Sequence, residues 1–248
     1  MSSEKIIVLE KVSKKFDIGF KKKQSALGKL LSMVSGREQK KTIWPIQEIT
    51  FSVKKGEFIG LIGKNGSGKS TLLRIIAEIY QKNKGNLRVT GKVVSLINLQ
   101  QGFRYRLTMK DNIYLYCTLF GMESNEISIT IDSILDFSGL QDFLDTKVYQ
   151  FSNGMLQRLA LAIGIYSNPD VLLLDEVFES SDEEFTFAAR KKLRELSAKG
   201  ITIILASHDF RIISEDASRG ILLDSGKIIF DGSPAKAINA YRKLPHSK

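Results

Sequence analysis

Between Gly63 and Ser70 the chain reads GKNGSGKS, which fits the spacing G-x-x-x-x-G-K-[ST]. Residues of these types in this order are suited to cradling phosphate. Gly63, Gly66 and Gly68 let backbone N–H groups turn inward with no Cβ in the way. Lys69 has the reach for the β- and γ-phosphates, and the Ser70 hydroxyl is a ligand for Mg²⁺. Asn65, Ser67 and Thr71 complete the candidate phosphate-binding set. The apolar run GEFIGLIG precedes the loop and a helical pattern from Lys69 to Tyr80 follows it, so the positive end of a helix dipole faces the anion. A glycine-rich turn would match this pattern by chance with a probability on the order of a percent in a chain of this length. The strand–loop–helix context lowers that further, and the loop predicts a nucleoside-triphosphate site.

A second apolar run, VLLLD, ends in Asp175, and Glu176 follows directly. A carboxylate at the end of a parallel strand beside a phosphate loop is placed to hold the magnesium shell. Glu176, one residue on, is placed to polarise the attacking water. His208, one of 2 histidines, ends a third apolar run, ITIILASH. There it would meet both the γ-phosphate and Glu176. A lone histidine at a strand end is more often structural; its order after the loop and the Asp-Glu pair favours the catalytic reading.

The elements that must position these groups follow from periodicity. Lys5–Val12 and Ile49–Val53 read as strands, and from Glu57 onward strands and helices alternate. A strand is expected near Val93–Leu96, with helices over Met109–Gly121, Glu126–Phe137, Met155–Ile165 and Glu183–Ala198. GILLD and GKIIFDG finish as short strands. Continuous apolar strands separated by helices imply a largely parallel sheet covered on both faces.

Before the helix LQRLALAIGIYSNP lies FSNGM, Phe151–Met155. With GKNGSGKS, VLLLDE, Asp182 and ASH in this order and spacing, the chain resembles the nucleotide-binding domain of ATP-binding-cassette (ABC) proteins from about Lys5 to Lys243. FSNGM matches the family signature LSGGQ at Ser152 and Gly154 and departs at Asn153 and Met155. The resemblance implies an α/β P-loop fold with a mostly parallel core, an antiparallel β subdomain and a helical subdomain at 97–165, in a single domain at 1–243 with a short tail at 244–248. It implies ATP and Mg²⁺ as ligands, and a homodimer in which Ser152, Asn153, Gly154 and Met155 face the γ-phosphate held by the other copy. Asp182 falls in the family's D-loop, here SSD. A glutamine near the metal is also implied; Gln100 and Gln101 both lie in INLQQGFRYRLT, and both stay open. Phe16 is the aromatic expected to stack on adenine, with Trp44 as competitor.

QQGFRYRLTMKDNIYL and VFESSDEEF resemble segments of the cassette ATPases that export bacterial polysaccharides. That branch implies two copies of a separate transmembrane permease, a lipid-linked polysaccharide as cargo and a place on the cytoplasmic face of the plasma membrane. O-antigen is the first expectation, teichoic acid or capsule the second. The chain runs only a few residues past AINAYRK, which predicts no appended sugar-binding domain. A cassette ATPase acting on nucleic acid or the ribosome is the reading from another class, and a P-loop kinase would leave FSNGM unexplained.

Composition tests these classes. The 248 residues carry a net charge of +10, which by itself suggests nucleic acid or an anionic membrane. Most of that excess lies before Pro45, where 11 basic residues face 4 acidic ones. Most of it falls within an insert at 17–43 in which Leu27, Leu30, Leu31 and Val34 recur at helical spacing behind Lys21, Lys22 and Lys23. The segment reads either as a solvated connection with a few core-facing leucines or as a short amphipathic helix at a membrane interface or against a membrane partner. Its charge is expected to face anionic lipid, with no nucleic-acid partner. The single cysteine, Cys117, excludes an internal disulfide.

Overall fold

The apolar runs FIGLI, VLLLD and TIILA lie side by side, as strands buried on both faces should. The computed structural model describes residues 4–18, 41–97, 102–178 and 182–245. In chain order the elements are β1 (Lys5–Ile18), β2 (Lys41–Lys54), β3 (Phe58–Ile62), α1 (Lys69–Ile76), β4 (Lys84–Val89) and β5 (Val93–Leu96). Then come α2 (Met109–Leu119), α3 (Ser124–Ser138), α4 (Asn153–Tyr166), β6 (Val171–Asp175), α5 (Glu183–Ala198) and β7 (Thr202–Ala206). The chain continues through α6 (Phe210–Asp216), β8 (Arg219–Asp224), β9 (Lys227–Gly232) and α7 (Pro234–Arg242).

A six-stranded sheet has the order β5-β6-β7-β3-β8-β9, parallel except for β9. Its period of two sorts side chains onto two faces. Leu61, Leu173, Ile204 and Leu223 pack with α1 and with β1 and β2. The alternate residues Leu172, Leu174, Ile203 and Leu205 pack against Leu161 of α4 and Phe185, Ala189 and Leu193 of α5. A three-stranded antiparallel sheet, β2-β1-β4, covers the first face. The helices α2, α3 and α4 form a third layer with its own core, which includes Met109, Ile113, Ile134, Leu156 and Leu159.

Several boundaries differ from the sequence expectation. β1 runs to Ile18 and β2 starts at Lys41, because the ladder continues through Phe16↔Ile43 and Asp17↔Thr42. The Thr42 hydroxyl donates to Asp17 Oδ1 at 2.7 Å there. β4, KGNLRV, is an edge strand paired with β1 whose polar composition hides it in the sequence; only Leu87 and Val89 pack against the core. α1 ends at Ile76 rather than Tyr80, and Glu78 just beyond turns the chain with φ of 56°. α6 and α7 are additional short helices. The leucine pattern at 27–34, the lysines at 21–23, Gln100 and Gln101 lie outside the described residues.

Candidate functional site: a phosphate loop and three strand ends

The loop between β3 and α1 closes back on itself. Gly68 is the N-cap of α1, with φ of 111° in the left-handed region that only glycine enters cheaply. No side chain caps the first turn of α1 and no acidic residue lies in it, so its N–H groups are left to an external anion. A Cβ on Gly63 would collide with the Leu223 carbonyl and the Ser67 hydroxyl. One on Gly68 would collide with the Pro45 carbonyl of β2. These two glycines are therefore fixed by close approach, whereas Gly66, φ 77°, has open space around it at the mouth. Asn65 is exposed beside it, and Ser70 and Thr71 open α1 half-buried.

Lys69 is buried, and its ammonium donates to the Gly63 carbonyl at 2.9 Å and less closely to that of Lys64 at 3.4 Å. The same Nζ lies 3.3 Å from His208 Nε2. That nitrogen is also 3.1 Å from Glu176 Oε1. A neutral imidazole satisfies one of these contacts at a time: with its proton on Nε2 it donates to Glu176, and without it accepts from Lys69. His208 thus stands between the candidate phosphate-binding cation and the candidate water-polarising carboxylate.

Glu176 follows β6 with φ of 55°, strained for a residue with a Cβ, and its N–H is held by the Ala206 carbonyl at 2.9 Å. The strain turns the side chain out of the sheet toward His208. Asp175 stays at the strand end, bonded to the Ser70 side chain. Burial pushes its carboxyl above the usual aspartate range and the adjacent Glu176 adds to this, while the Ser70 bond, Lys69 and Arg74 pull the other way. Two buried polar atoms here, Asp175 Oδ1 and Ser67 Oγ, have no hydrogen-bond partner within the protein. An orphaned carboxylate oxygen beside a serine hydroxyl is the donor set a Mg²⁺ ion takes, so these residues fit the metal implied by the sequence.

The signature residues sit elsewhere. Ser152 is the N-cap of α4 and accepts from the Met155 N–H at 3.2 Å, which leaves its own hydroxyl proton to donate outward. Ser152 and Asn153 are exposed, Gly154 and Met155 half-buried. The next residues, Leu156 and Leu159, anchor in the core of the helical layer and not in the core that holds α1. Asp182 is the N-cap of α5, accepting from the Phe185 N–H at 2.9 Å, and is paired with Arg158 of α4. The Phe185 bond, helped by Arg158, holds its carboxyl below the usual range. Arg158, whose guanidinium also lies 5.4 Å from the Phe185 ring, escaped the sequence reading. Its only signal was a cation in an otherwise apolar helix.

The two candidate stacking aromatics lie on the β1–β2 pair. Phe16 is half-buried, edge-on to Tyr80 at 5.4 Å, with the Lys14 ammonium 4.9 Å from its centroid. Trp44 is 37% exposed, carries Lys84 at 5.5 Å, and precedes the proline whose carbonyl touches the loop at Gly68.

A phosphate loop flanked by carboxylates at the ends of parallel strands defines a P-loop nucleotide-hydrolysing protein. The ABC transporter family profile matches residues 46–179, and the chain belongs to that family of ATPases. It is 34% identical over 244 residues to the ABC transporter protein AbcA of Aeromonas salmonicida, covering 98% of this chain and 78% of that one. It is 35% identical over 246 residues to the teichoic acids export ATP-binding protein TagH of Lactococcus lactis, covering 98% of this chain and 52% of that one. Against the O-antigen export system ATP-binding protein RfbB of Klebsiella pneumoniae it is 35% identical over 198 residues, 80% of each. Within the family the similarity therefore runs to the polysaccharide-export branch. The fold is also that of the ATP-binding cassette MJ0796, solved as a dimer bound to ADP and Pi, with a TM-score of 0.76 at 21% identity over 92% of this chain and 98% of that one.

Proposed function

We propose that this chain is the ATP-hydrolysing subunit of an exporter of undecaprenyl-diphosphate-linked polysaccharide, with O-antigen as first choice of cargo and teichoic acid or capsule as second. The contact of Glu176 Oε1 with His208 Nε2, within reach of the Lys69 ammonium, carries the hydrolytic part of the reading. The relatives named for O-antigen and teichoic acid export support the transport part.

The chain's residues divide the work. Lys69 and the N–H groups of the loop and of α1 bind the phosphates and neutralise charge there. Ser70 and Asp175, with Gln100 or Gln101, hold the Mg²⁺, which when bound supplies Lewis-acid charge stabilisation at the phosphate oxygens. Glu176 orients and polarises the attacking water, and His208 fixes the Glu176 rotamer. Phe16 stacks on the adenine. Ser152 and Gly154 of a second copy complete the site, with Asp182 close to the seam, so two ATP molecules lie between two subunits. Closure and reopening of that pair then drive a separate permease, present in two copies, at the cytoplasmic face of the plasma membrane. Among the described residues no helix is long and apolar enough to cross a membrane, in keeping with a peripheral subunit.

Glu176→Gln tests the reading. It should bind ATP, lose hydrolysis by about 10²–10⁴-fold, and accumulate as an ATP-bound dimer in size-exclusion chromatography. Normal turnover would remove Glu176 from its role. Complementation of strains lacking the ATPase of an O-antigen or a teichoic acid exporter, each retaining its own permease, separates the cargoes.

A further inference from the structure

His208 sits on a short connection between β7 and Asp209, the N-cap of α6. Ser207 Oγ accepts from the Asp209 N–H at 3.0 Å, and Asp209 Oδ1 accepts from the Arg211 N–H at 2.9 Å. This links the histidine to the start of α6. A helix of 7 residues cannot hold its own orientation, so whatever anchors α6 also anchors His208.

Two anchors are visible. The first is apolar: Ile213 lies where a Cβ on Gly60 of β3 would collide with it, and Ile212 joins the core of Phe185, Ala189 and Leu193 from α5. The second is ionic and sits at the far end of α6. Asp216 accepts from Arg190 Nε at 2.6 Å and Arg190 Nη2 at 3.0 Å, and from Arg194 Nη1 at 2.5 Å. Arg190 Nη2 also reaches Glu215 at 2.6 Å. The Asp216 side chain is 1% exposed and that of Arg190 16%.

An ionic clasp around a buried carboxylate is a poor way merely to join two helices, since apolar side chains of similar volume do so as well or better. A two-pronged guanidinium–carboxylate pair adds a fixed angle and register. The need for that is visible between the helices, where a cleft of about 570 Å³ is walled by Glu176, His208, Arg190 and Glu215 among others. Ile212 and Ile213 anchor α6 on its apolar side but do not fill this space, which leaves the clasp to fix the far end of the helix.

We propose that Asp216 and Arg190 are positioning residues for ATP hydrolysis: their clasp between α5 and α6 holds the His208 imidazole within reach of Glu176. The same clasp ties this contact to α5, whose N-terminus is Asp182. A displacement of Asp182 as two copies close is thereby carried along a rigid helix to the switch histidine. The inference rests on the assignment of Glu176 and His208 made above.

The test replaces the clasp by apolar residues, Arg190→Met with Asp216→Leu, in the full chain. The unfolding midpoint should stay within about 3 °C of the parent. The kcat for ATP should fall about tenfold, with KM and equilibrium ATP binding within twofold, since the phosphate loop is on another element. Arg190→Lys, which keeps the charge but not the fork, should lie between the parent and the double variant. A folded double variant with parental kcat overturns the proposal, as does a rise in KM parallel to the fall in kcat. Should the double variant not fold, Arg190→Lys decides alone: a reduced kcat at unchanged KM supports the proposal, and a parental kcat overturns it. Glu176→Gln, measured alongside, separates the two levels. Normal turnover there removes the catalytic reading, whereas a dead Glu176→Gln beside a fully active clasp variant removes only the positioning role.

Discussion

The phosphate-loop half of the site and the signature half are built in opposite ways. In the first, the candidate functional side chains are drawn inward: the Lys69 ammonium is bonded to its own loop, and Glu176 leans on His208. In the second, Ser152 and Asn153 are exposed at the tip of α4, and the first turns of their helix are rooted in the core of the helical layer. A half-site that binds within one chain can act before any partner arrives; one that points to solvent has nothing to do until something docks on it. The contrast fits ATP binding by a single subunit and hydrolysis by two.

The largest expected effect breaks the first half. Lys69→Ala removes the cation that the loop is shaped around, and ATP binding and turnover should both fall by about 10³-fold. Equilibrium binding of a fluorescent ATP analogue checks this on the single subunit. If binding survives at the parental level, the loop is not where the nucleotide is held.

A smaller effect sharpens the second half. Gly154→Asp places a carboxylate in the first turn of α4, where it favours the helix through the dipole but repels a phosphate. Hydrolysis should fall by about 10²-fold, with ATP binding to the single subunit within twofold and the unfolding midpoint unchanged. A loss of binding by the single subunit would mean that the signature serves its own chain's nucleotide.

The two halves also differ in how far the sequence revealed them. GKNGSGKS and VLLLDE are local: the residues proposed to act are neighbours in the chain, and apolar strands next to them declare where they sit. The signature was legible only by resemblance, because its departures left the pattern incomplete. In the structure those departures leave the helix cap unaffected: it uses the Ser152 hydroxyl and the Met155 backbone N–H, and neither the Asn153 nor the Met155 side chain enters it. The clasp was invisible because Asp216 lies in FRIISED, too short for a period to register, and its partners are 22 and 26 residues away. β4 stayed hidden for a related reason, since Leu87 and Val89 are its only apolar residues and two alternate positions are too few to read as a strand. Sequence pattern thus reported what is buried or contiguous, and missed the polar contacts between elements.

The smallest effect concerns the joint between the halves. Asp182 caps α5 and pairs with Arg158 of the signature helix, so one carboxylate serves both a local and a tertiary contact. Asp182→Asn keeps the cap, since asparagine is as good an N-cap as aspartate, and removes the charge. Asp182→Ala removes both. The alanine variant should lose about 1 kcal/mol, which lowers the unfolding midpoint by roughly 2–4 °C in a chain of this size. The asparagine variant should stay within about 0.5 kcal/mol of the parent, because an ion pair this exposed contributes little to stability. ATPase activity separates the roles differently. If the Arg158 pair matters for keeping the signature helix and α5 in step, Asp182→Asn will slow hydrolysis while barely moving the midpoint. If it is only a surface contact, activity will track stability in both variants, and the two halves communicate through the apolar layer alone.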